Sequence, residues 1–177
     1  LTQLAIIKYV NIAMVPETVD GEPALEAVIT LSRTKKQGVT FEVEGTNSEG
    51  DLGFGVGVTY QHRDLAKGAE VLTAKVRTSY ESLSGRPTGL INDRYTEVAA
   101  EVGITFPKFE APFISKSFKQ RSKAQTEFAV SFNYQERPEY TRVISGAAWK
   151  YRWNDPSNMR RNTFDLIDLN YVYLPKS

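Results

Sequence analysis

The chain has 177 residues, with 22 Lys and Arg against 21 Asp and Glu and a formal net charge of +1; this balance, with no basic cluster standing apart, excludes a nucleic-acid binder. It has no cysteine and a single histidine, His62, which excludes disulfides, thiolate zinc sites, a cysteine nucleophile and any histidine-based metal cluster. No apolar run approaches the ~20 residues a membrane helix needs, no signal peptide opens the chain, and Leu1 in place of methionine implies a processed product or an excised piece.

Apolar residues recur at every second position, the period of a strand rather than a helix. Two short strands, 9–15 and 25–31, are joined by the Pro/Gly/Asp connection PETVDGEP over 16–23. The polar run SRTKKQ over 32–37 reads as a linker. Beyond it Val39, Phe41 and Val43 alternate with Thr40, Glu42 and Glu44, and TNSEGD over 46–51 turns the chain into the next strand. There Leu52, Phe54, Val56, Val58 and Tyr60 share one side, opposite Gly53, Gly55, Gly57 and Thr59. Three glycines on one side of a strand call for a special reason.

The alternation continues. The connection HRDLAKGAE over 62–70 leads into Leu72, Ala74, Val76, Thr78 and Tyr80, and SGRPTGLIN over 84–92 leads into Val98, Ala100, Val102, Ile104 and Phe106. A longer basic connection precedes Phe128, Val130, Phe132 and Tyr134. Val143, Ala147, Trp149, Tyr151 and Trp153 follow, with Ser145 as the polar exception, and the last strand carries Ile167, Leu169, Tyr171 and Tyr173. The expected fold is all-β, an antiparallel meander of about seven long strands after a short strand pair.

Two architectures produce this pattern. A soluble sandwich or barrel turns its apolar side inward, whereas an outer-membrane barrel turns it to lipid. Period alone does not choose between them. Strands of about ten or more residues exceed the usual five or six of soluble sheets. Tyr60, Tyr80, Phe106, Tyr134, Trp153 and Tyr173 fall at strand ends, as interfacial girdles do, and short turns alternate with longer ones. These details favour the membrane.

The segment FEVEGTNSEGDLGFGVGVTYQHRDLAKGAE over 41–70 resembles the first barrel hairpin and following turn of the bacterial surface-antigen family, the barrel of BamA and TamA, and is closest to its TamA-like lipoprotein branch, TamL. NIAMVPE over 11–17 with LEAVITL over 25–31 is similar to the closing strand pair of the last POTRA module before such barrels. FDLIDLNYVYL over 164–174 resembles a later barrel strand. The resemblance implies that 1–33 ends a periplasmic POTRA-like module, 34–37 is a hinge, and 38–177 opens a transmembrane β-barrel in the outer membrane of a Gram-negative bacterium. The family's later strands, its Arg-containing lumen motif, its earlier POTRA modules and a lipid-attachment cysteine are absent from this sequence.

The resemblance further implies an assembly or translocation factor. Its first barrel strand, Gly38, Val39, Thr40, Phe41, Glu42, Val43, Glu44 and Gly45, would open as a lateral seam and pair with client strands by β-augmentation. Expected partners are outer-membrane lipid, client outer-membrane or exported proteins, and periplasmic or lipoprotein partners. Leu52, Phe54, Val56, Val58 and Tyr60 are expected to face lipid, and Gly53, Gly55 and Gly57 to form a small-residue side toward the lumen. Those glycines would allow sharp curvature or a close plug loop, or simply relieve crowding at a bend. The alternative is a passive transport or small-ligand-binding barrel, porin-like or lipocalin-like.

No feature of the sequence supports an enzyme or a cofactor. His62 beside Arg63 and Asp64 reads as a polar turn residue rather than a base. Glu42, Glu44, Glu97, Glu101 and Glu127 read as a solvated wall, with Lys75, Arg77, Lys150 and Arg152 as neighbours of opposite sign. GFGVG over 53–57 lies inside a strand with no helix after it, so it is not a dinucleotide loop. KSFKQRSK over 116–123 reads as a solvated connection in preference to a lipid headgroup contact.

Overall fold

The computed structural model describes residues 4–19, 21–48, 51–82, 94–110, 115, 117, 119, 123–154 and 160–176. Among the described residues nine strands follow one another in chain order: β1 (Ile7–Val19), β2 (Glu22–Arg33), β3 (Gln37–Ser48), β4 (Asp51–Arg63), β5 (Val71–Ser82), β6 (Arg94–Phe106), β7 (Lys123–Glu136), β8 (Thr141–Asn154) and β9 (Arg161–Lys176). Strands β1 and β2 form a two-stranded antiparallel sheet, and β3 to β9 form a seven-stranded antiparallel meander in sequential order. The meander is not closed into a barrel, so β3 and β9 are its two edges.

The first hairpin is longer than the sequence pattern predicts. Residues 16–19 and 22–23 of the expected connection continue the strands, with Pro16 opposite Leu25 and Pro23 opposite Thr18. Proline survives here because each strand of a two-stranded sheet has an open side that needs no donor. Val19 pairs with Glu22, and Gly21 at φ 84° supplies the left-handed backbone of a two-residue turn. The predicted linker is shorter than its polar run, because β2 reaches Arg33 and β3 begins at Gln37. His62 and Arg63 likewise belong to β4 rather than to a turn.

Long and short connections do not simply alternate. The joint 34–36 and the connections 64–70, 107–122 and 155–160 fall at one end of the sheet, here the hinge-side end, and 107–122 is the longest of all. The expected connection 84–92 lies outside the described residues. So do Lys116, Phe118, Gln120, Arg121 and Ser122 of the basic run, which reaches Lys123 inside β7.

The hinge-side end is tied down locally. Lys36 Nζ lies 3.0 Å from Asp64 Oδ2, and Arg63 Nη1 donates to the Lys35 carbonyl at 3.2 Å. Asp64, Lys67 and Ala69 adopt φ of 69°, 64° and 62°, conformations that L residues hold only when neighbours over-determine them. Asp64 Oδ1 supplies part of that constraint by accepting from the Ala69 N–H at 3.2 Å. Glu70 supplies more, since its Oε2 accepts from the Ala66 and Gly68 N–H groups, both at 3.1 Å. The hydrogen bond from Lys36, with that from Ala69, holds the Asp64 carboxyl below its ordinary range. Glu70 is also held low, chiefly by its own N–H and against the upward pull of burial.

The same end holds the compact cluster of the meander. Phe109 packs on Ala124 and Tyr151, with Trp149 and Trp153 against them. Its ring lies 5.6 Å from Tyr151 and 5.9 Å from Trp153. Thr126 is fully buried; its hydroxyl donates to the Lys108 carbonyl at 2.8 Å and accepts from the Glu110 N–H at 2.9 Å. Tyr151 donates its hydroxyl to the Glu110 carbonyl at 3.3 Å. Residues 107–110 thus form a strap across β7 and β8. Thr126→Val keeps the shape but orphans the Glu110 donor, and we expect a loss of about 1 to 3 kcal/mol, read as a lower denaturant midpoint at unchanged slope.

Candidate functional site

Register decides what shares a side of the sheet, because directly paired residues point the same way. Val43, Val56, Thr78, Val98, Tyr134, Val143 and Tyr173 form one continuous row from β3 to β9. Phe41, Val58, Val76, Ala100, Phe132, Ser145 and Tyr171 form the next. The predicted alternation therefore merges into one apolar face spanning all seven strands; the strap 107–110 covers its hinge-side end over β7 and β8, and among the described residues no second layer covers the rest. Phe41, Val43 and Leu52 are 75%, 79% and 65% exposed.

Tyr60, Phe106 and Trp153 lie on this face toward the hinge-side end, and Tyr80, Tyr134 and Tyr173 toward the far end. From Leu72 to Tyr80 the face runs for about 26 Å along β5 at the usual ~3.3 Å per residue. The aromatic bands are braced by ring contacts, with Phe54 5.8 Å from Tyr80 and Phe128 5.0 Å from Trp149. His62 shares this face, opposite Leu72; its Nδ1 is buried and makes no hydrogen bond among the described residues.

The opposite face is polar and internally paired. Arg77 is bound to Glu44, and Lys75 Nζ lies 3.7 Å from Glu42 Oε2. Glu42 and Glu44 belong to β3, whereas Lys75 and Arg77 belong to β5. Both pairs therefore span β4, and they do so over the glycines, since Glu42 sits opposite Gly57 and Glu44 opposite Gly55. Gly55 and Gly57 are buried by these neighbours. A Cβ on Gly57 would stand 3.3 Å from Glu42 Oε2, and one on Gly53 would meet Thr46 Oγ1 at 2.5 Å and the Tyr80 carbonyl at 3.0 Å. The glycines thus form a trough that lets side chains of β3 reach β5. Each pair is half exposed and contributes only about 0.2 to 1 kcal/mol.

Elsewhere on this face Arg152 Nη1 lies 2.8 Å from Glu127 Oε2, and Lys150 Nζ lies 3.9 Å from both Asp165 and Asp168. Glu97 accepts from Asn133 Nδ2 at 2.5 Å and from the Tyr95 hydroxyl. A depression of about 210 Å³ lies among Glu101, Glu127, Ser131, Lys150 and Asn170, below the roughly 300 Å³ at which ligand pockets begin. Among the described residues no group of three His, Asp or Glu side chains is placed to hold a metal ion, and no helix is long and apolar enough to cross a membrane.

The expected seam residues Gly38, Val39, Thr40, Phe41, Glu42, Val43, Glu44 and Gly45 all lie in β3, whose other side has no neighbouring strand among the described residues. The Arg63 N–H donates to the Lys36 carbonyl at 2.6 Å, which identifies Lys36 and Arg63 as a hydrogen-bonded pair. Such pairs alternate with non-bonded ones along an antiparallel ladder. Gly38, Thr40, Glu42 and Glu44 therefore bond to β4, and the N–H and C=O groups of Val39, Phe41 and Val43 point out of the sheet's edge. No family model, curated protein or solved structure matches the chain. The edge, the apolar face and the trough are thus interpreted from their geometry alone.

The sequence reading did not include the strap, Thr126 or the β3-to-β5 reach of the ion pairs. The strap had one visible signal: Pro107 directly after Phe106, then an aromatic at Phe109, which stops the strand yet leaves an apolar group to bury. Thr126 had none, since a threonine among alternating apolar residues is common in strands.

Proposed function

We propose that the seven-stranded meander is the opening wall of an outer-membrane β-barrel of the surface-antigen type, and that its free first strand, β3, receives client strands by backbone pairing. The β1–β2 hairpin then ends a periplasmic POTRA-like module. The clients are outer-membrane or exported proteins passed to the seam from the periplasmic side. One observation carries the membrane part of this reading: a seven-strand apolar face bounded by aromatic bands, covered among the described residues only by the strap 107–110 at one end, and backed by a polar face of ion pairs. The chain exposes 12984 Å² at 19.9 kDa, where a compact soluble monomer of that mass exposes about 8,700 Å². A soluble sandwich would bury that face.

The free edge carries the pairing part. Three successive outward pairs of donors and acceptors, at Val39, Phe41 and Val43, repeat at the spacing a client strand presents. Among the described residues the polar-face depression of about 210 Å³ is small for a ligand, and the larger hollow of about 450 Å³, lined by Leu72, Val102, Ile104, Phe128 and Trp149, lies on the apolar face.

Purified without further strands, the chain is expected to require detergent or to assemble through its two edges. A monodisperse soluble monomer by light scattering would overturn the membrane reading. The seam is tested separately in the protein carrying the remaining strands, with a cysteine at Thr40 and another on the final strand. Cells locked by this disulfide should lose outer-membrane assembly and regain it on reduction. Unimpaired assembly would favour a passive pore.

A further inference from the structure

We propose that the hinge-side rim of the meander binds the anionic headgroups of a phospholipid leaflet. The proposal rests on the membrane reading above and adds which lipid chemistry that end of the wall meets.

The joint 34–36 and the connections 64–70, 107–122 and 155–160 all fall on this rim. The acids described there are already engaged. Asp64 is held by Lys36 and the Ala69 N–H, Glu70 is buried on the Ala66 and Gly68 N–H groups, and Glu110 lies 2.7 Å from Lys108. The exposed cations Lys35, Lys67, Arg160 and Arg161 make no ion pair among the described residues. Lys35, Lys67 and Arg160 come from three separate connections and Arg161 opens β9, so positive charge is spread along the rim while the acids described there are engaged.

The opposite end differs. Its described charged residues, Glu81, Arg94, Glu136, Arg137, Glu139 and Arg142, mix both signs. Arg137 is also turned onto the Tyr95 ring, 4.5 Å from its centroid. Charge complementarity therefore selects one rim for an anionic surface.

The apolar face selects a bilayer over a soluble polyanion. Immediately inside the basic rim, on the apolar face, lie the half-buried Tyr60 and Trp153, the aromatic types that settle at headgroup depth. Cations just beyond such a band stand where phosphates lie, and their attraction decays within one Debye length, about 10 Å at 0.1 M salt.

The test measures association of the full chain, diluted from detergent, with vesicles of phosphatidylcholine alone and of phosphatidylcholine mixed equally with phosphatidylglycerol. Preference for the anionic vesicles should be on the order of a hundredfold at low salt and should vanish at high salt, a result read on the unaltered chain. The combined variant Lys35→Gln, Lys67→Gln, Arg160→Gln and Arg161→Gln should abolish the preference while still entering both vesicles. Arg94→Gln with Arg137→Gln at the other end should keep it. Equal association of the unaltered chain with both vesicles overturns this proposal and leaves the membrane reading standing. Association with neither overturns both.

Discussion

Val56→Arg lowers stability in a bilayer by about 2 to 4 kcal/mol, the cost of an arginine facing lipid at mid-depth in a strand. Val56 lies between the two aromatic bands, pairs with Val43 and Thr78, and is 42% exposed on the apolar face. The matched change Ser79→Arg shifts stability by less than about 1 kcal/mol, because Ser79 lies on the polar face, opposite Gly55 and Glu97, with carboxylates to receive the guanidinium. Reversible unfolding in lipid vesicles, compared at equal protein and lipid concentration, measures both. If Ser79→Arg is the costly one, the facing is inverted and a soluble layer must cover the apolar side.

Two prolines one residue apart have different consequences. Phe41 directs its N–H out of the sheet, so Phe41→Pro keeps the ladder to β4 and removes a donor that only a strand pairing across the seam, the final strand or a client, would use. Thr40 bonds to Thr59 of β4, so Thr40→Pro strips an interior ladder bond at membrane depth, where an unmet backbone group costs several kcal/mol. Phe41→Pro should therefore insert normally yet fail to support client assembly in cells, whereas Thr40→Pro should fail at its own folding. Phe41→Leu separates the backbone effect from loss of the ring and should behave as the unaltered protein. Normal assembly with Phe41→Pro would remove backbone pairing at β3 as the mechanism.

The ion pairs over the trough bear on how easily that edge parts. Glu42 and Glu44 reach Lys75 and Arg77 across a strand that carries no side chain at Gly55 or Gly57. A Cβ on Gly57 would stand 3.3 Å from the Glu42 carboxylate, whereas one on Gly55 would meet only the Thr78 carbonyl and the Ser79 and Glu44 Cβ atoms at ordinary distances. The glycines thus let the edge strand be held by β5 as well as by β4.

Strand identity was legible in the sequence because a strand's two faces follow from a period of two, which is local. Each of the seven long strands was visible as alternating apolar residues, such as Leu72 to Tyr80 or Phe128 to Tyr134, and so was the polar character of the other side. Strand ends were less legible: Pro16, Pro23, His62 and Arg63 look like turn residues, yet their places in β1, β2 and β4 are set by partners across the ladder. Only the tertiary structure decided the rest, because it depends on residues far apart in the chain. Register brought Glu42 to Gly57 and Arg77 to the same glycine, turning three spaced glycines into a trough. The turn after Phe106 carried Phe109 back over Ala124, Tyr151 and Trp153, burying Thr126 through bonds to residues 16 and 18 positions away. Composition and period determine that this chain makes a two-faced antiparallel sheet; the non-local pairing of its strands decides which edge is free, which carboxylates are engaged and which end remains positively charged.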